Sequence, residues 1–173
     1  MTPEFIFNVQ LILGYVAWLL CFRAYILAKL KSMDAVAAQR AIATLHSFRF
    51  FGLVFILPGV IGNLPSGFGP FAAYWDFATG VLAILALLTV RIRPIFWSFV
   101  VAFNVFGTID LVFDYYHAVR LGLPAIAGQL GATYAIPVLY VPLLMITHIT
   151  AFYLLLRRAP KPAHVQVVNA VVS

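Results

Sequence analysis

The chain has little charge and almost no cysteine. Of its 173 residues only 9% are charged, 5 are acidic and one, Cys21, is a cysteine. A single cysteine excludes a disulfide framework and a cysteine-rich metal site. The sequence also lacks C-x-x-C-H, a P-loop, H-E-x-x-H and G-x-S-x-G, which excludes the best-defined motifs for covalent haem, nucleotides, zinc proteases and serine hydrolases. Any site therefore has to be built from isolated polar residues.

Apolar residues make up most of what remains, at 64% of the chain with a mean hydropathy of +1.04. A water-soluble domain of this size could not bury so much apolar surface, so lipid is the expected solvent. Five stretches reach the length of about 20 apolar residues that crosses a bilayer. Because these runs are continuous rather than alternating, they predict an all-α transmembrane bundle of five helices in a single domain, residues 1–158, with a tail at 159–173. The predicted spans are residues 5–28, 41–62, 71–90, 95–119 and 132–156.

The basic residues of the connections lie mostly on one side of this bundle. One side carries eight of them and the other side carries only Arg120. The positive-inside rule then places the N-terminus outside and the tail in the cytoplasm. The net charge of +6 is explained by contact with anionic lipid headgroups and requires no nucleic acid. The eight are Lys29, Lys31, Arg40, Arg91, Arg93, Arg157, Arg158 and Lys161.

One group of polar residues is predicted near the cytoplasmic side: His46 and Arg49 on the second span, Thr147 and His148 on the fifth. Ionisable side chains inside a bilayer are costly unless paired, which makes them candidates for a site. They could bind the polar end of a lipid, isoprenoid or quinone. The two histidines could instead clamp a b-type haem, with Arg49 on a propionate. In a purely structural alternative, Arg49 reaches out to lipid phosphates while each histidine bonds a carbonyl or Thr147.

A second polar group lies on the fourth span, where Asp110, Asp114 and His117 follow one another at i, i+4 and i+7 on one helix face. Such a stripe could hold a proton or a cation. Alternatively, Asp114 and His117 lie at the wet interface and pair with each other or with Arg120, while Asp110 needs a partner such as Asn104. Because the two polar groups are expected in opposite leaflets, a joint catalytic site is disfavoured.

Prolines interrupt the helices at Pro58, Pro137 and Pro142. Each proline removes a backbone hydrogen bond and bends its helix, so the outer half of the bundle is expected to open into a cavity.

Three stretches resemble small bacterial multi-span proteins of uncharacterised function: residues 46–59 (HSFRFFGLVFILPG), 103–111 (FNVFGTIDL) and 134–148 (YAIPVLYVPLLMITH). The resemblance implies a five-helix inner-membrane protein and carries no activity with it. The last span (TYAIPVLYVPLLMI) is also similar to the last helix of the sterol-handling EXPERA proteins, which implies a hydrophobic ligand.

The first hypothesis from the sequence is therefore a protein that binds or carries a lipid, isoprenoid or quinone in a bundle cavity, using His46, Arg49, Thr147 and His148. One alternative is a redox subunit with b-haem on the two histidines. Another is an accessory subunit without a ligand, which docks a second copy or a partner membrane protein. Catalysis is left open, and a binding role is favoured.

Overall fold

The computed structural model describes residues 1–65 and 67–157, so the predicted tail at 159–173 lies outside the described residues. Over these two ranges the chain is all-helical and contains no strand, as predicted. The α-helical segments are α1 (Pro3–Cys21), α2 (Leu27–Ser32), α3 (Ala35–His46), α4 (Phe68–Leu88), α5 (Arg93–Arg120) and α6 (Val141–Leu156). A π-helical turn, Phe22–Ile26, joins α1 to α2, and another, Ile136–Tyr140, precedes α6. Two 3₁₀ segments, Ser47–Ile56 and Leu123–Tyr134, complete the fold.

Four of the described stretches are long and apolar enough to cross a membrane. They coincide with the first, third, fourth and fifth predicted spans. Their outward faces expose large apolar side chains, such as Leu13, Leu20 and Val112, which water would solvate poorly. The chain is therefore built as a membrane protein. The four stretches are Pro3–Ser32, Phe68–Leu88, Arg93–Arg120 and Ile136–Leu156.

The second predicted span, residues 41–62, differs from the structure. Helix α3 begins earlier because Asp34 caps it, accepting hydrogen bonds from the backbone N–H groups of Val36 and Ala37 at 2.9 and 3.0 Å. After His46 the chain continues as the 3₁₀ segment and becomes extended at Leu57. Proline at the next position disfavours the helical conformation for the residue before it, which explains why the helix stops there.

The interior consists of two apolar clusters with a layer of polar side chains between them. The first cluster includes Phe96, Val100 and Phe103 and lies at the end of the bundle that carries Lys29, Lys31, Arg91 and Arg93, named here the basic end. The second cluster lies at the opposite end and includes Phe7, Phe68, Leu123 and Leu130. The polar layer comprises His46, Arg49, Asp76, Asn104, Asp110, Thr147 and His148, all of them buried.

Candidate functional site

Arg49 is the centre of the polar layer. Its side chain is fully buried, with 0% exposure. Its Nε donates to Asp76 Oδ1 at 2.6 Å, and its Nη2 forms an ion pair with Asp110 Oδ2. Its Nη1 donates to the Gly107 carbonyl and to His148 Nε2, both at 3.3 Å. One guanidinium thus connects the 3₁₀ segment to α4, α5 and α6.

His148 continues the network away from Arg49. Because Arg49 has only protons to donate, the Nε2 atom that faces it must carry a lone pair. The proton of a neutral imidazole then lies on Nδ1, which donates to Asn104 Oδ1 at 2.9 Å. Asn104 is oriented for this bond because its amide Nδ2 donates to the Val100 carbonyl at 2.8 Å. The contacts therefore specify one tautomer of a neutral His148.

His46 stacks on His148, with the ring centroids 4.0 Å apart. Its Nε2 lies 3.0 Å from Thr147 Oγ1. The threonine hydroxyl is 2.9 Å from backbone carbonyls one turn earlier on the same helix, to which it donates, so it accepts the proton of His46 Nε2. His46 Nδ1 is left buried, with no hydrogen-bond partner in the described part of the chain. The four predicted residues His46, Arg49, Thr147 and His148 thus converge, and the predicted bond between a histidine and Thr147 is confirmed.

Two expectations about depth were wrong. Arg49 does not extend toward lipid phosphates, and Asp110 does not belong to a separate outer group, because the two form an ion pair. The reason is the position of α3. It starts at Ala35 rather than at residue 41, which carries His46 and Arg49 about 9 Å farther from the basic end at about 1.5 Å per residue. The acids of α5 and the groups of the second segment therefore meet in one layer.

The other members of the predicted acidic stripe have different surroundings. Asp114 is partly buried, and its Oδ1 is buried without a hydrogen-bond partner among residues 1–65 and 67–157. His117 packs against the ring of Phe71 with the centroids 4.7 Å apart. Arg120 donates to the hydroxyl of Tyr116 at 2.7 Å. A proton or cation role for Asp110, Asp114 and His117 stays a prediction, and no three His, Cys, Asp or Glu side chains of the described residues are placed to hold a metal ion.

Asp76 in the layer, and two glycines that pack against the layer, had no assigned role in the sequence. Asp76 is a charged residue within a predicted span, so the rule that selected Asp110 would also have selected it. Gly107 and Gly52 carry no such signal. A Cβ at Gly107 would lie 2.5 Å from His148 Nε2 and 2.6 Å from Arg49 Nη1, and one at Gly52 would lie 2.5 Å from the Cβ of Asp76. These glycines provide the space in which the network forms.

The bis-histidine haem hypothesis does not fit this geometry. Axial ligands approach an iron from opposite faces of the porphyrin, whereas His46 and His148 stack directly on each other. Three of their four ring nitrogens already bond to Thr147, Arg49 and Asn104. Binding a haem would require these bonds to break and Arg49 to leave its two carboxylates.

A cavity of about 90 Å³ lies on the side of the polar layer away from the basic end. Pro137, one of the three prolines expected to open the bundle, is part of its wall. Asp76 and Asp114 line it, whereas His46, Arg49, Thr147 and His148 do not. The remaining wall is largely apolar, with side chains such as Phe7, Leu11, Phe55, Phe68, Leu123, Leu130 and Val141.

An apolar groove of about 460 Å³ runs beside this cavity on the outward surface of the bundle. Its lining includes Trp18, whose Nε1 donates to the Leu139 carbonyl at 2.8 Å, and the exposed rings of Phe48 and Phe51. Ile136 lines both the groove and the cavity. The groove and the cavity are therefore neighbouring spaces that share part of their wall.

One family model matches this chain, over residues 6–156, and its description is "Domain of unknown function (DUF8737)". No curated protein and no solved structure matches the chain.

Proposed function

The chain belongs to the DUF8737 family, and from this starting point we propose that it binds or carries a hydrophobic ligand such as a lipid, an isoprenoid or a quinone. The cavity between Asp76, Asp114 and the apolar walls is the observation that supports this proposal. Small-molecule sites are typically concave and mostly apolar, with a few polar groups that orient the ligand. The expectation from the sequence that the last span resembles an EXPERA helix favours the same class of ligand.

The proposal includes a topology of five membrane crossings. The second crossing would be the segment formed by α3 and the 3₁₀ residues that follow it. Twelve α-helical and ten 3₁₀ residues rise about 38 Å together, which exceeds the hydrocarbon thickness of about 30 Å. Five crossings place the N-terminus outside and the basic end in the cytoplasm, and we propose the plasma membrane of a bacterium as the location.

In this proposal the polar layer is a scaffold, and the ligand does not touch most of it. His46, Arg49, Thr147 and His148 bond to one another or to neighbouring helices and fix the depth of four segments. Asp76 belongs to both the scaffold and the cavity. The ligand contacts proposed here therefore differ from His46, Arg49, Thr147 and His148, the contacts expected from the sequence.

The groove supplies a place for the rest of an elongated ligand. Its volume of about 460 Å³ falls within the range of about 300–1,000 Å³ that is typical of small-molecule sites. A chain bound there would contact Trp18 and the phenylalanine rings, and its end could reach the cavity past Ile136.

Native mass spectrometry of the protein, gently extracted from its own membranes, tests the proposal. Ala118 lines the cavity, so Ala118→Phe should fill it and remove a discrete lipid-sized mass that the wild type retains. Val112→Phe is the matched control, because Val112 lies on the same helix and is 54% exposed outside both spaces. A wild type that carries no small molecule and retains another protein instead would favour the accessory subunit, and equal retention by both variants would exclude the cavity as the site.

A further inference from the structure

The geometry points to a ligand whose polar end is a cation or a hydrogen-bond donor. We propose that the cavity takes an amine or hydroxyl at Asp114 and discriminates against anionic amphiphiles such as fatty acids. This inference rests on the proposed function, since it concerns the specificity of the same cavity.

The charge of the cavity wall favours a ligand with a cationic or hydrogen-bond-donating end. The described residues that line it include two carboxylates, Asp76 and Asp114, and no basic side chain. Only about 10–15 Å³ is needed to hold one water, so a space of about 90 Å³ has room for a small polar group together with water. An anion placed in this space would face carboxylates in surroundings of low polarity, where repulsion is weakly screened.

Two carboxylate oxygens beside the cavity have no hydrogen-bond donor among the described residues. Asp114 Oδ1 and Asp110 Oδ1 are both buried, and neither has a hydrogen-bond partner within the described ranges. Asp110 is itself fully buried and lies one helical turn from Asp114. A buried acceptor without a donor is costly, so a ligand that brings an N–H or O–H group would relieve that cost.

Arg49 leaves Asp114, the second carboxylate of the wall, without an ion-pair partner among the described residues. Its Nε and Nη2 are engaged by Asp76 and Asp110, and the guanidinium does not line the cavity. One guanidinium is therefore present for the three carboxylates of Asp76, Asp110 and Asp114. Asp114 forms no ion pair in the described part of the chain.

The other polar groups of the cavity wall add no positive charge to it. The hydroxyls of Tyr115 and Tyr15 are hydrogen-bonded to each other at 2.7 Å, and Asn8 on α1 is uncharged. His117, on the same helix as Asp114, packs on Phe71 and does not line the cavity. Asp114 is thus the carboxylate available to a ligand.

The test uses three probes with the same twelve-carbon chain: dodecylamine, dodecanol and dodecanoic acid. The full chain is purified in a non-ionic detergent at pH 7.5, and the bound probe is counted by native mass spectrometry. Only the part of the binding that Ala118→Phe removes is scored, which excludes adsorption to the outer surface. We expect the wild type to prefer the amine over the acid by at least about tenfold, since hydrogen bonds to charged groups are worth more than that factor. Asp114→Asn, which keeps the shape of the side chain, should reduce the preference to less than about threefold.

The outcomes separate the inference from the proposed function. If the acid binds the cavity as well as the amine does, the inference fails while a hydrophobic site remains. If Asp114→Asn leaves the preference unchanged, Asp114 is not the recognising group and the inference fails again. If no probe shows binding that Ala118→Phe removes, both the inference and the proposed cavity site are overturned.

Discussion

Replacing Arg49 by methionine should destabilise the protein strongly, because it removes the cation that contacts two buried carboxylates. At about 4 Å and an effective dielectric constant of about 20, each pair contributes roughly 4 kcal/mol of attraction, which offsets the desolvation of the charges. Breaking a buried pair from one side typically costs about 3–5 kcal/mol. For a chain of this size, that loss corresponds to a fall in melting temperature of roughly 6–20 °C.

Circular dichroism of the purified variants in detergent measures this fall directly. Arg40→Met is the matched control, since Arg40 lies on α3 and is exposed, and it should shift the melting temperature by less than about 2 °C. Adding Asp76→Asn and Asp110→Asn to Arg49→Met removes the uncompensated charges and should restore most of the lost stability. Recovery in the triple variant would separate an electrostatic cause from a loss of packing.

The loss of stability caused by Arg49→Met should also depend on pH. Without Arg49, each buried aspartate has to take up a proton, which costs an ordinary aspartate about 4 kcal/mol at pH 7. That cost falls by about 1.4 kcal/mol for each unit by which the pH is lowered. The difference in stability between wild type and Arg49→Met should therefore narrow from pH 7 to pH 5. A variant that melts within about 2 °C of the wild type at pH 7, or one whose deficit is independent of pH, would refute the role assigned to this ion-pair cluster.

Two further predictions concern packing and topology. Gly107→Ala should lower the melting temperature by several degrees, because its methyl group would overlap the polar layer. Gly128→Ala is the control and should have little effect, since Gly128 has open space around it. Equal melting temperatures for the two variants would contradict the close contact at Gly107. In a Cys21→Ser background, Asn63→Cys should react with a membrane-impermeant maleimide on intact cells and Ser32→Cys only after the cells are permeabilised. Labelling of both from the same side would rule out the second crossing.

Part of this fold can be read from the sequence because hydropathy is a local property. A run of apolar residues either reaches the thickness of the bilayer or falls short of it, and four of the five predicted spans correspond to helices that reach it. The second segment was harder to place. Its start depends on the cap at Asp34, and its 3₁₀ conformation from Ser47 onward leaves no clear periodic signature.

The candidate site could be predicted only in part. The sequence does select the ionisable residues that form the polar layer, because a charged group inside an apolar run stands out. The partners of these residues could not be predicted. The sequence suggested Asn104 as the partner of Asp110, whereas in the structure Asp110 pairs with Arg49. Asn104 instead accepts a hydrogen bond from His148. The prolines predict a cavity, while its lining by Asp76 and Asp114 does not follow from the sequence.

The sequence by itself determined the solvent of this protein, its helical class and the set of ionisable residues placed within the apolar segments. Tertiary structure decided which of these residues meet. An ion pair between Arg49 and Asp110 requires two segments to be matched in depth and rotation to within the length of a side chain. That match depends on where each helix starts, on its rise per residue and on glycines such as Gly107 that leave room between helices. None of these quantities is contained in the local pattern of either segment, so the polar layer and the cavity beside it emerge only when the helices pack.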